Sequence, residues 1–254
     1  YRLTPDVLAG DPRDLFGYAL GTRGRRSFRL HACMLLKTMH VIHHLAAREL
    51  GMHLSLSAAE VAHMMEAKVT ACVQVLRAEG HAILDFSGGQ KTRSSLITKL
   101  LAKEDTLAAQ VHDRVRFRLV VERREDVPVL LDALTRRLVP FNYVVPGQSK
   151  NDLVDPALWA HVDREGDDGP APPAEPRPAA HAPVNEFSGA TYQVINFVAD
   201  IPLRVPPEVL ALRDGGRDLG RVIFSLVELQ LVDAATARRN EQGDNNHEEY
   251  KNRQ

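Results

Sequence analysis

The 254-residue sequence is short of several things that commonly announce a function. It has two cysteines, Cys33 and Cys72, too few for a disulfide-built fold, and both lie in helix-like apolar segments that predict buried free thiols. It has no apolar run near the ~20 residues that span a bilayer. No charged-then-apolar leader opens it, so cytoplasm is the expected compartment and no membrane partner is expected. It has almost no net charge (−1), which removes a general attraction for nucleic acid while leaving room for a local basic patch. It has no P-loop, because Gly88-Gly89 lacks the following Gly-Lys-Ser/Thr. The serines at 55, 57, 94 and 95 lack a nucleophile-elbow setting. It has no internal repeat.

What is present is a mixture of helix and strand patterns. Residues 1–27, rich in Gly, Arg and Pro, read as a loose arm with a short helical turn near Leu15–Leu20. Residues 28–254 read as a single domain. From Phe28 to Leu50 the period is helical, with Leu30, Met34, Leu35, Val41, Ile42 and Leu45 on one broad apolar face and Gly51 as the stop. Ser57 and Glu60 form a capping-box signature for a second helix, which Gly80 ends. A strand is expected at Ala82–Phe86, followed by a Gly88-Gly89 turn. Ser94–Lys103 is expected as an amphipathic helix, Val115–Val121 as a strand and Asp126–Leu138 as a helix. Further strands are expected at Phe141–Val145, Tyr192–Ala199 and Val222–Leu231, with a polar, helical end from Ala234. The proline-rich run 164–183 cannot form a ladder or a helix and reads as a mobile insertion between Trp159 and the aromatics Phe187 and Tyr192. The rhythm is not βαβ. The predicted fold is α/β (α+β): a mixed sheet of about five strands flanked by helices, with a helical pair at the N-terminal side.

Three segments carry chemistry. Lys91 and Arg93 precede the helix on which Lys99 and Lys103 share a face, a clamp for polyphosphate that a solvated basic helix would also provide. Asp113 precedes the strand on which Arg116 and Arg118 point to one side, where they need an anionic partner or open water. Glu228 and Gln230 lie on one face of an otherwise apolar strand, where a carboxylate is costly unless it meets a cleft, a cation or a metal. Phosphoryl transfer needs such groups: carboxylates for Mg2+, cations for phosphates, and a base for the attacking hydroxyl. His40, His43 and His44 lack the Glu of a His-Glu-x-x-His site and read as surface or core-edge histidines.

Together these segments resemble the RelA/SpoT family, synthetases of the stringent-response alarmone (p)ppGpp. Lys91, Ser95 and Lys99 resemble the family's basic-Ser-Ile-Lys opening. Asp113-Arg-Val-Arg116-Phe-Arg118-Leu resembles its Asp-hydrophobic-Val-x-hydrophobic-Arg strand, and Val227-Glu228-Leu-Gln230-Leu its Val-Glu-Ile-Gln-Ile strand. Gly243, His247 and Tyr250-Lys251 are similar to its Gly-x-x-x-His-x-x-Tyr-Lys ending. The resemblance implies a nucleotidyltransferase-like fold and a Mg2+-dependent enzyme that moves pyrophosphate from ATP to a guanosine nucleotide, GDP or GTP. It implies Asp113 and Glu228 as metal ligands, their carboxylates about 4–7 Å apart given Mg–O bonds of ~2.1 Å. Glu228 would also help deprotonate the 3′-hydroxyl. Lys91, Lys99 and Arg118 would contact phosphates, with Arg93, Arg116 and Gln230 in the same nucleotide site. Tyr192 would stack on the acceptor base, and His247 would lie near the acceptor phosphates. No His-Asp pair of the family's hydrolase domain is present, so no hydrolase activity is expected. Two departures point elsewhere. Val232 and Asp233 replace the Arg-Thr that follows the family's Gln-Ile, and Val194 and Asn196 replace the Ser and His of its Gly-Tyr-x-Ser-x-His stretch. These keep open an adenine nucleotide or a tRNA 3′ end as acceptor, and a non-catalytic nucleotide- or RNA-binding module. A homo-oligomer is compatible with either.

Overall fold

A computed structural model of the chain describes residues 9–90, 115–139, 143–155, 192–211 and 219–241, with Pro5 and Ile97. The element order is α1 (Asp14–Leu20), α2 (Arg26–His53), α3 (Ala58–Ala78), β1 (Ile83–Gln90), β2 (Val115–Val121), α4 (Asp126–Arg137), β3 (Val144–Asn151), β4 (Ile195–Arg204), α5 (Pro207–Ala211), β5 (Val222–Asp233) and α6 (Ala234–Asn240). The chain divides into two units, Tyr1–Leu56 with Arg204–Phe224, and Ser57–Leu203 with Ser225–Gln254. No helix among the described residues is long and apolar enough to cross a membrane.

In the first unit, α1 ends at Gly21, whose φ of 80° gives the left-handed turn that glycine adopts without a Cβ clash. The chain then folds back, so Leu15 and Ala32 are buried with Tyr18, Phe28, Leu35 and Leu36 around them. Tyr18 and Phe28 meet edge to face at 5.6 Å. The apolar face expected of α2 is misplaced by the sequence reading. Leu30, Val41, Ile42 and Leu45 are exposed, while Ala32, Ala47 and Leu50 are buried. A helix apolar on two sides does not reveal by period alone which side its neighbours cover. Gly51 does not stop the helix, which continues to His53, because one exposed glycine costs only about 1 kcal/mol. Further along α2, His44 stacks on Phe224 at 3.8 Å and His43 meets the same ring edge-on. The buried-thiol expectation also fails: Cys33 is exposed and Cys72 only half-buried, both free.

The second unit holds the sheet, in the order β1-β2-β5-β4-β3. β1 runs antiparallel to β2, β2 parallel to β5, and β3 antiparallel to β4, so the sheet is mixed and five-stranded as expected. The capping box at the start of α3 is present: Glu60 N–H donates to Ser57 Oγ, and Ser57 N–H to the Glu60 carboxylate. Met65, Val69, Val73 and Leu76 form its buried stripe. Lys68 Nζ donates to the Pro202 carbonyl of β4, and Arg77 Nε to the Ile83 carbonyl of β1, at 3.2 Å. Nine residues of helix rise about 13 Å, and three strand spacings are about 14 Å. The helix therefore spans from β1 to β4, and its stripe is buried, as are Phe117, Leu119, Leu229 and Leu231 of the central strands, all at most 1% exposed.

Three strand limits differ from expectation. Gly88-Gly89 is not a turn but part of β1. A Cβ at Gly88 would come within 2.3 Å of the Arg116 carbonyl, so only glycine lets β1 approach β2 there. β3 falls on a polar stretch because it is an edge strand, where Pro146 and the register shift between Val144 and Ser149 are tolerated. β4 starts at Ile195 rather than Tyr192, leaving Tyr192–Val194 as a lead-in. Strand 115–121 and helix 126–137 fall where the periodicity puts them. The expected helix at Ser94–Lys103, Phe141, the insertion 164–183 with its flanking Trp159 and Phe187, and the chain after 241 lie outside the described residues.

Candidate active site

The face of the sheet opposite Phe117 and Leu229 carries a row of polar residues across β2, β5, β4 and β3, with Gly89 of β1 at its end. Register fixes the row. Gly89 of β1 pairs with Arg116 of β2, and Arg116 with Glu228 of β5. Asn196 of β4 reaches Glu228, and Lys150 of β3 pairs with Asn196. Period-two alternation then brings Arg118 and Gln230 onto the same face as the next pair.

Glu228 is the centre of this row and is only 5% exposed. A lone buried carboxylate would cost several kcal/mol. Three donors offset that cost: Arg116 Nε to Oε2 at 2.8 Å, Asn196 Nδ2 to Oε1 at 3.0 Å, and Gln230 Nε2 to Oε1 at 3.2 Å. The sequence reading of Glu228 and Gln230 as facing one way holds, and burial rather than open solvent is their setting. Asn196 Oδ1 is buried with no hydrogen-bond donor among the described residues. A carboxylate has four lone-pair positions, of which three are used here. The remaining one, on Oε2, is an oxygen of the kind Mg2+ takes. Among the described residues no group of three or more His, Cys, Asp or Glu side chains is disposed to hold a metal. A magnesium site at Glu228 thus requires further oxygens, and Asp113, the expected partner, lies outside the described residues.

Arg118 is ion-paired at 3.2 Å with Glu241, whose side chain is 66% exposed. Such a pair is worth little in water, so a phosphate can replace it readily. Lys150, which sequence reasoning missed, pairs with Asp152 at the edge of the row. The bulge in β3 hid its facing, since alternation cannot be counted through Pro146-Gly147. Beside Arg116, Gly89 leaves open space where any other residue would project a side chain.

Tyr192 leads into β4, the strand that carries Asn196. Burial pushes its phenol up, the Arg118, Arg116 and Lys150 charges pull it down, and Glu228 pushes it up. Of the residues singled out from sequence, the structure brings Arg116, Arg118, Glu228 and Gln230 together on one face, and Tyr192 leads into the neighbouring strand. Lys91, Arg93, Lys99, Asp113 and His247 lie outside the described residues. Val232, where the family resemblance expects Arg, is buried in β5 at 1% exposure.

No family model and no curated protein matches the chain. Among solved structures it is similar to the small alarmone synthetase 2 from Bacillus subtilis, at 14% identity over 70% of this chain and 71% of that one, with a TM-score of 0.43. It is similar to the small alarmone synthetase 1 from Bacillus subtilis bound to its product pppGpp, at 14% identity over 71% and 72%, TM-score 0.43. It is also similar to a GTP pyrophosphokinase family protein from Streptococcus pneumoniae, at 14% identity over 76% and 79%, TM-score 0.41.

Proposed function

We propose that the chain is a Mg2+-dependent pyrophosphokinase that transfers the β,γ-pyrophosphate of ATP to the 3′-hydroxyl of a guanosine nucleotide. The observation that carries this reading is Glu228: a buried carboxylate on a central strand, held by three donors and flanked by Arg116 and Arg118 in register. A carboxylate in this position is poorly accounted for by packing and well accounted for by chemistry on a polyanion.

In this reading Arg118, with Lys91 and Lys99, binds the ATP phosphates, and Tyr192 stacks on the acceptor base. The 3′-oxygen attacks the β-phosphorus in line. The new O–Pβ bond forms as the bond from Pβ to the α,β-bridging oxygen breaks, and AMP leaves with that oxygen. The hydroxyl proton passes to Glu228. Glu228 and Asp113 would hold Mg2+, which would supply charge neutralisation at the transferred phosphates. Arg116 keeps Glu228 aimed at the acceptor. Incubation of labelled ATP with Mg2+ and a panel of GDP, GTP, ADP, ATP and tRNA is expected to give a labelled guanosine product and AMP. AMP release with another acceptor would retain the chemistry and reassign the acceptor.

A second reading is a nucleotide-binding module without turnover. Two observations favour it: both oxygens of Glu228 are already engaged, and Val232 stands buried where the resemblance expects Arg. Nucleotide binding without AMP release across the whole panel would establish it.

A further inference from the structure

Tyr192 lies before β4 rather than in it, so the sheet ladder does not hold it. Something else does. Asn240, the last residue of α6, is 5% exposed. It contacts Gln193 twice: its Oδ1 accepts from the Gln193 N–H at 3.2 Å, and its Nδ2 donates to the Gln193 carbonyl at 2.7 Å. One side-chain amide thus pairs with both backbone groups of a single residue, as a neighbouring strand would.

The consequence for Tyr192 follows from peptide planarity. The N–H of Gln193 and the Cα of Tyr192 belong to one rigid six-atom unit. Holding that N–H fixes the plane from which the tyrosine side chain departs. Two further contacts steady the post. Asp152 N–H donates to the Val194 carbonyl at 3.2 Å, and Arg124 donates to the Gln193 side chain at 3.4 Å. Arg124 also reaches Thr236 on α6.

The position of Asn240 is itself set by the strand that carries Glu228. Asp233, the last residue of β5, caps α6 by accepting from Thr236 N–H at 2.9 Å. Asp233, Thr236 and Asn240 fall on one side of the helix at spacings of three and four. The strand, the cap and the short helix form one continuous piece with Glu228 at one end and Asn240 at the other.

We propose that Asn240 is a positioning residue for acceptor binding, which, by pairing with both backbone groups of Gln193, holds Tyr192 at a set distance from Glu228 for a nucleobase to stack on the ring. This rests on the pyrophosphokinase reading for the identity of the ligand, and on geometry alone for the hold on Tyr192. The residue touches no reacting atom in this reading. Its effect passes through the Tyr192 backbone.

The test uses the full chain carrying 3-fluorotyrosine at position 192, as wild type, Asn240→Ala and Asn240→Asp. The 19F resonance and its titration report the surroundings of that one ring without any need for activity. In the wild type the phenol is expected to titrate above free fluorotyrosine. Asn240→Ala is expected to broaden the resonance and return the titration toward the free value. Asn240→Asp, which keeps the acceptor and loses the donor, is expected to fall between. In unlabelled protein, Asn240→Ala is expected to raise the acceptor KM about tenfold with the ATP KM within twofold, and to have no further effect in a Tyr192→Ala background. An unchanged fluorine titration in both variants would overturn the proposal. So would an Asn240→Ala effect on acceptor KM that is equally large without the tyrosine. A wild type that transfers nothing would sink the pyrophosphokinase reading, while the fluorine titration would still decide whether Asn240 holds Tyr192.

Discussion

The two faces of the β2–β5 pair are built from the same seven-residue register and do opposite things. On one face Phe117, Leu119, Leu229 and Leu231 are at most 1% exposed. On the other, two pleats away at most, lie Arg116, Arg118, Glu228 and Gln230. The apolar face stabilises the unit by removing surface from water. The polar face adds little net stability, because each hydrogen bond to Glu228 mostly offsets desolvation. Central strands with covered faces are ordinarily apolar on both sides. A face that forgoes this, and spends four positions on charged and amide groups, is arranged for a ligand.

Substitutions on the two faces should therefore separate activity from stability. Glu228→Gln keeps the shape and the sheet but loses the base and the charge opposite Arg116. It is expected to lower kcat by on the order of 10³–10⁴-fold while the circular dichroism spectrum stays that of the wild type. Phe117→Ala on the other face is expected to cost about 3–5 kcal/mol in urea unfolding, with the kcat of the remaining folded protein nearly unchanged. If Phe117→Ala instead lowered kcat as Glu228→Gln does, the separation of faces would be wrong. Arg118→Ala is expected to lower kcat about 10²-fold and to raise the ATP KM more modestly, since the phosphates are charged in the ground state and the charge on the transferred group grows further in the transition state.

Why the strands were legible and the site only partly so follows from the same contrast. Val115–Leu119 of β2 and Val227–Leu231 of β5 alternate cleanly, so their facing could be read from the pattern alone, and Glu228 and Gln230 stood out as polar residues in apolar company. The capping box of Ser57 and Glu60 was legible because its chemistry is local. The covered side of α2 was not, because Leu30, Val41 and Leu45 make a second apolar stripe opposite the buried one. Lys150 and Asn240 were not, because the first sits beyond a bulge and the second acts through a contact 47 residues away. Neither position has a periodic pattern that could show it.

Smaller effects sharpen the comparison at the sheet's ends. Asp233→Ala removes the cap of α6 and is expected to cost about 1 kcal/mol in thermal or urea unfolding. Burial raises the Asp233 carboxyl, and the Thr236 N–H and hydroxyl together with Arg124 outweigh this and hold it below the usual range. Its contribution is therefore present above the ordinary carboxylate pKa and is lost as pH falls through its own lower value. Asp200, on the same side of β4 as Asn196, behaves oppositely: burial pushes its carboxyl up to about 6. Protonated Asp200 is favoured in the folded state, so this contribution is full below the ordinary value and is lost as pH rises through about 6. Asp200→Asn is accordingly expected to raise Tm slightly at pH 8 and to leave it unchanged at pH 4. Equal shifts at both pH values would assign the effect to packing instead.

The most direct measurement of the central claim uses ATP labelled at the β-phosphorus, with Mg2+ and GDP or GTP, beside the Glu228→Gln protein. The β-label is expected to move to the guanosine nucleotide with one AMP formed per label transferred, and this transfer is expected to vanish in Glu228→Gln. Label retained in ADP would mean transfer of a single phosphate, and label retained in ATP with every acceptor would mean no transfer at all. Either result would contradict the claim that the polar face of β2 and β5 is a pyrophosphate-transfer site.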